Sequence, residues 1–187
     1  GGFAALRRRF DTGPVFAASE AGVEGAVPCL AGTAWQADGV RLRFLHPDVH
    51  FPALRNESSC VLRIESAHGT ALLTGDIGKV VERLLVRADP GAVRADVVVV
   101  AHHGSDGSSD PAFIRAAGAS LALASAGHGN RFGHPHRASV ERWTGAGARF
   151  AVTAPQGALR VRLRRDGRHI DARREVQPRP WDAVRRA

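Results

Sequence analysis

The stretch Ala95-Asp96-Val97-Val98-Val99-Val100-Ala101-His102-His103-Gly104-Ser105 decides how the rest of the chain is read. Its unbroken apolar run, Val97 to Ala101, fits a strand buried on both faces, the pattern of a parallel sheet with covered sides. The run leads directly into two histidines, a glycine and a serine. Open α/β sheets place their ligand sites where strands end, so the same residues indicate both a fold and a candidate site. In an extended chain, neighbouring side chains point to opposite sides. One of His102 and His103 is therefore expected to face the site, while the other packs or hydrogen-bonds.

Two more segments repeat this grammar. Upstream, Ala71 to Leu73 leads into Thr74-Gly75-Asp76, with Asp76 either projecting from the strand end or capping a helix that begins near Ile77. Downstream, Leu121 to Ser125 is followed by Ala126-Gly127-His128-Gly129-Asn130-Arg131-Phe132-Gly133-His134-Pro135-His136. Helical patterns separate the strands. Ile77, Val80, Val81, Leu84 and Leu85 share one predicted helix face. Asp110-Pro111 starts another helix that stops at Gly118, and Arg137 to Thr144 a third, before a strand at Phe150 to Thr153. Hairpins are expected at Asp38-Gly39, between Trp35 and Leu45, and around His68-Gly69, between Cys60 to Glu65 and Thr70 to Leu73. Phe3 to Phe10 reads as helix and Val15 to Ala18 as extended. The fold class is α/β with hairpins.

The 187 residues, 44% hydrophobic and 24% charged, suffice for one domain with a real core and exclude a disordered tail or a disulfide miniprotein. No apolar stretch approaches the roughly 20 residues that cross a bilayer. Net charge is +8, and every basic residue but Lys79 is arginine. Residues 159–187 hold ten arginines against Asp166, Asp171, Glu175 and Asp182. That tail is expected to open as a charged edge strand at Leu159 to Arg164 and then to fray. A polyanionic partner is compatible with the surplus. Cys29 and Cys60, far apart in sequence, read as two small buried core residues.

Histidine and carboxylate at the ends of adjacent strands are the donors that divalent metals use, and paired ions activate water while stabilising a leaving phosphate oxygen. Asp76, one of His102 and His103, and His134 form a reasonable half of such a site. A G-x-S-x-G elbow, a phosphate-binding G-x-x-x-x-G-K-[ST] loop and a C-x-x-C pair are all absent from the sequence, and a serine hydrolase built on Ser105 fits less well.

Together, LLTGD (72–76), the AD…HHGS run (95–105) and SAGHGNRFGHPH (125–136) resemble the metallo-β-lactamase-fold domain of the DNA-internalisation competence protein ComEC. Asn56-Glu57-Ser58-Ser59 resembles that family's N-x-x-S segment, and the likeness covers about residues 1–175, leaving 176–187 as a basic tail. The resemblance implies the C-terminal portion of an αββα sandwich. It implies a divalent-metal hydrolase, with two zinc or manganese ions in the complete domain, that degrades the DNA strand not imported during natural transformation. DNA and the rest of a polytopic channel protein of the bacterial inner membrane would be its partners.

By that resemblance Asp76 is the metal-bridging carboxylate, and His102, His103 and His134 are ligands or their neighbours, with Asp76, His103 and His134 closest to the chemistry. Asn56, Ser105, Asn130 and His136 are candidates for holding a phosphate or positioning the ligands. The H-x-D-x-D-H-x-G-G signature that completes the first metal site in this family is missing, and Gly1-Gly2 looks like its end. The expectation is a fragment that binds metal poorly on its own. Two other readings remain: a free-standing hydrolase of a small ester or phosphoester, and a non-catalytic module that contacts DNA through its arginines.

Overall fold

The computed structural model describes residues 3–180 and Asp182. The chain opens with α1 (Phe3–Arg9), followed by β1 (Phe16–Ala17) and β2 (Val27–Pro28), which pair in parallel. Then come β3 (Ala34–Ala37), β4 (Val40–His46), β5 (Val61–Ser66), β6 (Gly69–Leu73), β7 (Val97–Val99), β8 (Leu121–Ala124) and β9 (Arg149–Val152). These last seven form one sheet in which spatial order equals chain order. Pairing from β3 to β6 is antiparallel, with two-residue turns joining β3 to β4 and β5 to β6 and a longer connection, residues 47–60, joining β4 to β5, and pairing from β6 to β9 is parallel.

Each parallel step is made by a helical crossover: α2 (Lys79–Ala88) with the single turn α3 (Pro90–Val93), then α4 (Pro111–Ala117), then α5 (Arg137–Gly145). Right-handed crossovers between strands that advance in one direction put all their helices on one face. The register agrees. Leu72, Val98, Ala122 and Phe150 lie opposite one another across four strands, and they pack with Val81 and Leu85 of α2, Phe113, Ile114 and Ala117 of α4, and Trp143 of α5. Each large apolar side chain buried in this layer contributes about 1.5–3 kcal/mol. Arg63, on the same face but nearer the sheet edge, donates to the carbonyls of Ala92 and Arg94 at 2.7 and 2.5 Å, covering α3.

The opposite face is only partly covered. Phe16 of β1 stacks on Trp35 (4.9 Å between ring centres) and leans on Phe44. Toward the carboxyl ends of the parallel strands, Leu62, Val99 and Leu123 are half-buried and Leu73 is 36% exposed. The chain continues through α6 (Thr153–Gln156) to β10 (Leu159–Arg164) and β11 (Gly167–Ala172), then α7 (Arg173–Val176).

Most predicted elements recur, with instructive departures. Asp38-Gly39 forms its turn with φ of 50° and 76°, and Asp110 caps α4 by accepting from the Ala112 N–H. The second hairpin, however, turns at Ala67-His68, because Gly69 pairs with Ser66. Val80 and Leu84 point outward, 66% and 44% exposed. The buried face of α2 is instead Val81, Glu82 and Leu85, shifted by one position to take in a glutamate. Leu159 to Arg164 is not an edge of the main sheet but half of a separate two-stranded hairpin with β11, whose histidine- and arginine-rich sequence hid its alternation. Arg174 pairs with Asp182 at 3.4 Å, and Trp181 and residues 183–187 of the expected tail, like Gly1-Gly2, lie outside the described residues. Cys29 and Cys60 are disulfide-bonded. The two cysteines are 31 positions apart, and the residues between them include the β3–β4 hairpin, which doubles the chain back and closes a distance that sequence separation suggested was too long.

Candidate functional site

The loops after β6, β7, β8 and β9 lie side by side, and hydrogen bonds chain them together. Gly75 carbonyl accepts from the His102 N–H at 3.0 Å, and Gly104 carbonyl accepts from the His136 N–H at 2.8 Å. Thr153 Oγ1 accepts from the Ala126 N–H and donates to the Ala126 carbonyl. Two glycines make the approach possible. Gly75 has φ +57°, and a Cβ there would stand 2.6 Å from Ser59 Cβ; Gly104 has φ +81°, and a Cβ would stand 2.7 Å from Pro135 Cβ.

Asp76 does not cap a helix: α2 begins only at Lys79, and its N-cap Gly78 makes no side-chain cap bond. The Asp76 carboxylate is instead free to face His103, whose Nε2 lies 3.5 Å from Asp76 Oδ1. Its backbone is anchored by the Asn56–Ser59 segment. Ser59 Oγ accepts from the Asp76 N–H at 3.1 Å, and Glu57 Oε2 accepts from the Gly78 N–H at 3.0 Å. The Glu57 carbonyl in turn accepts from Nε2 of the buried His46 at 2.7 Å, and burial depresses that imidazole's basicity. Glu57, Ser59 and His46 thus position Asp76. Only the N-x-x-S pattern pointed toward this segment, and nothing in the sequence distinguished His46. Asn56 itself is exposed.

The two adjacent histidines overturn the expectation of opposite directions, because they are not extended. His102 (φ 51°, ψ 42°) and His103 (φ 56°, ψ 19°) are both left-handed, and successive left-handed residues do not alternate sides as a strand does. Both rings consequently gather near His134, with centroids 5.9 Å from His102 to His134, 6.5 Å from His103 to His134 and 6.4 Å between His102 and His103. The backbone strain, of order 1–3 kcal/mol per residue, is held by the surroundings. Ser108 Oγ donates to the carbonyls of Ala101 and Ser105, and Glu82 accepts from the Ser109 and Asp110 N–H groups at 2.9 and 2.6 Å. Ser109 Oγ meets Ser139 Oγ and accepts from Trp143 Nε1, closing a buried network beneath the site.

The remaining predicted residues take different places. Asn130 braces its own loop, with Nδ2 donating to the Gly127 and His134 carbonyls and Oδ1 accepting from the His134 N–H. Ser105 Oγ accepts from the Gly107 N–H. His136 is exposed at the N-cap of α5.

His103 Nδ1 lies 2.8 Å from the Ser125 carbonyl. A carbonyl can only accept, so Nδ1 donates to it and the ring is turned with Nε2 toward Asp76. His134 Nδ1 is buried without a hydrogen-bond partner. Burial, then the nearby His102 and His103, lowers this ring's pKa, favouring the neutral form that a metal or a proton requires. The donor types suit a divalent cation. Among the described residues, however, no group of three or more His, Cys, Asp or Glu side chains is placed to hold one ion. Asp76 and His103 are 37% and 49% exposed, so the cluster opens to solvent.

The fold and the site together define a mixed α/β domain with an open carboxylate–imidazole cluster at the ends of its parallel strands. Similarity to known proteins makes the assignment narrower. No protein-family model matches the chain. It is 36% identical over 167 residues to the competence protein ComA of Neisseria gonorrhoeae, covering 89% of this chain and 24% of that protein. It is 33% identical over 133 residues to ComE operon protein 3 of Bacillus subtilis, covering 71% of this chain and 17% of that protein. With recombination protein 2 of Haemophilus influenzae it shares 29% identity over 155 residues, 83% of this chain and 19% of that protein. The chain belongs to the ComEC-type competence proteins and spans about a quarter or less of the length of these curated relatives.

Proposed function

We propose that this domain is a metal-dependent phosphodiesterase serving DNA uptake, acting on the strand that is not imported. One observation carries the reading: Asp76, His102, His103 and His134, from three successive strand ends, gather at one solvent-open place. Asp76, His102, His103 and His134 would each contribute a donor to a divalent-ion site that needs further ligands or closer approach, because no three of them are placed to hold one ion. Such an ion supplies Lewis acidity toward a phosphodiester and lowers the pKa of bound water.

The chain's own residues have simpler tasks. The Ser125 carbonyl holds the His103 Nδ1–H and so orients the ring with Nε2 toward Asp76. The Ser59 hydroxyl and the Glu57 carboxylate hold the turn from which Asp76 projects. His134, kept neutral by its surroundings, offers a lone pair as ligand or proton acceptor. The half-open sheet face carrying Leu62, Leu73, Val99 and Leu123 supports a second layer packing there, as in a metallo-β-lactamase-like αββα sandwich. DNA and a membrane channel are the proposed partners, in the bacterial inner membrane. No helix among the described residues is long and apolar enough to cross a membrane. A purely arginine-based DNA module is less well supported, because Arg162, Arg168 and Arg174 of the basic carboxyl-terminal segment are engaged with Asp171, Asp96 and Asp182.

The test is cleavage of a single-stranded oligonucleotide with Mn²⁺ or Zn²⁺, using the longest natural polypeptide that contains these residues, with calorimetric metal titration alongside. Asp76→Asn and His134→Ala are expected to lower metal-supported cleavage by at least about 100-fold, in the range of lost acid–base groups. Cleavage that ignores metal, or that survives Asp76→Asn, would overturn the proposal.

A further inference from the structure

The loop that delivers His134 also carries a feature the hydrolytic reading leaves unused. Phe132 is 64% exposed. Its ring lies nearly parallel to the His134 imidazole, at 17° and 5.7 Å between centroids, and the Arg131 guanidinium carbon stands 4.8 Å from the ring centre. Phe132 fills no part of the core cluster. Its loop is nevertheless held in shape: Asn130 ties both ends of the segment through Gly127 and His134, and the Gly133 N–H donates to the Asn130 carbonyl. The aromatic is therefore presented from a braced loop, which lowers the ordering cost of using it.

We propose that Phe132 and Arg131 form a base-stacking subsite for single-stranded DNA, seating one nucleobase beside the His102–His103–His134 cluster. The inference rests on the phosphodiesterase reading for its ligand class and adds a recognition element to it. Every nucleobase has a π-face, so an exposed aromatic binds a single strand without choosing sequence. Guanidinium planes also stack on bases, and they pair with phosphate. A base still paired inside a duplex cannot lie on Phe132, so the subsite selects unpaired strand. An apolar protein partner fits poorly, because the residues flanking Phe132 are Arg131, Gly133, Asn130 and His128 rather than a continuous apolar patch.

Binding measured in EDTA separates this subsite from hydrolysis. Fluorescence anisotropy would compare a labelled 15-mer of thymidylate with a strand of equal length that lacks bases, for wild type, Phe132→Ala and Phe132→Trp. Phe132→Ala is expected to bind the thymidylate strand about tenfold more weakly, to lose nothing further on the abasic strand, and to be restored by Phe132→Trp. Unchanged affinity in Phe132→Ala, an equal loss on both strands, or no binding by wild type at low salt would overturn the subsite. Base-dependent binding without any metal-supported cleavage would retain it and remove the hydrolase reading; cleavage with no dependence on Phe132 would do the reverse.

Discussion

Glu82 offers the sharpest test of the packing beneath the site. It is 1% exposed, and both its oxygens accept from backbone N–H groups at the end of the histidine loop. Burial pushes its carboxyl from the ordinary 4.5 up to about 7, against the opposing pull of those two donors. Between these values the native chain keeps a proton that the unfolded chain has released, so stability falls as pH rises from about 4.5 to 7 and is level above. At about 1.4 kcal/mol per pH unit, with the lower end of the interval clipped, about 2–3 kcal/mol is lost between pH 5 and pH 8.

Glu82→Gln cannot titrate and sets an amide N–H against one of the two backbone donors, costing about 1–3 kcal/mol. Urea denaturation of both proteins at pH 5 and pH 8 should find the variant weaker at pH 5 and gaining about 2–3 kcal/mol on wild type by pH 8. The lowered pKa values of His46 and His134 act in the opposite direction, adding stability as pH rises; both proteins share them, so they cancel in the comparison. Parallel curves would refute the reasoning. A wild type that gains on the variant as pH rises would mean that the two N–H groups outweigh burial.

Two further outcomes follow from the loops. Gly104→Ala places a Cβ against Pro135 in a left-handed backbone and should cost about 2–4 kcal/mol by thermal unfolding; an unchanged melting temperature would contradict the close approach of the two loops. Reducing the Cys29–Cys60 disulfide, or replacing both cysteines with serine, reopens a 31-residue loop and should lower stability by about 3–4 kcal/mol in urea titrations with and without reductant. Identical midpoints would mean that the bond does not form.

The sheet was legible where local chemistry and tertiary position agree. Asp110-Pro111 and Gly118 bracket α4 because capping is local, and the all-valine run could only be a covered strand. Glu82 escaped because periodicity counts apolar residues, whereas the α2 face is completed by a glutamate whose partners, Ser109 and Asp110, lie a strand and two loops away. The disulfide escaped for a related reason: the β3–β4 fold-back that unites its ends is not visible in the spacing of two cysteines. At the site, residue types located the cluster, but the direction of His102 and His103 depended on backbone angles imposed by Gly75, Ser108 and Glu82, and an extended-chain rule could not supply those.

The two left-handed histidines carry one more consequence. Glycine takes up left-handed angles without the steric cost of a Cβ, although it gives up more chain entropy on folding, so His102→Gly should raise the melting temperature slightly even as it removes an imidazole from the cluster, whereas His103→Gly also forfeits the bond to the Ser125 carbonyl. A selection for thermostability alone would therefore favour glycine over imidazole at position 102.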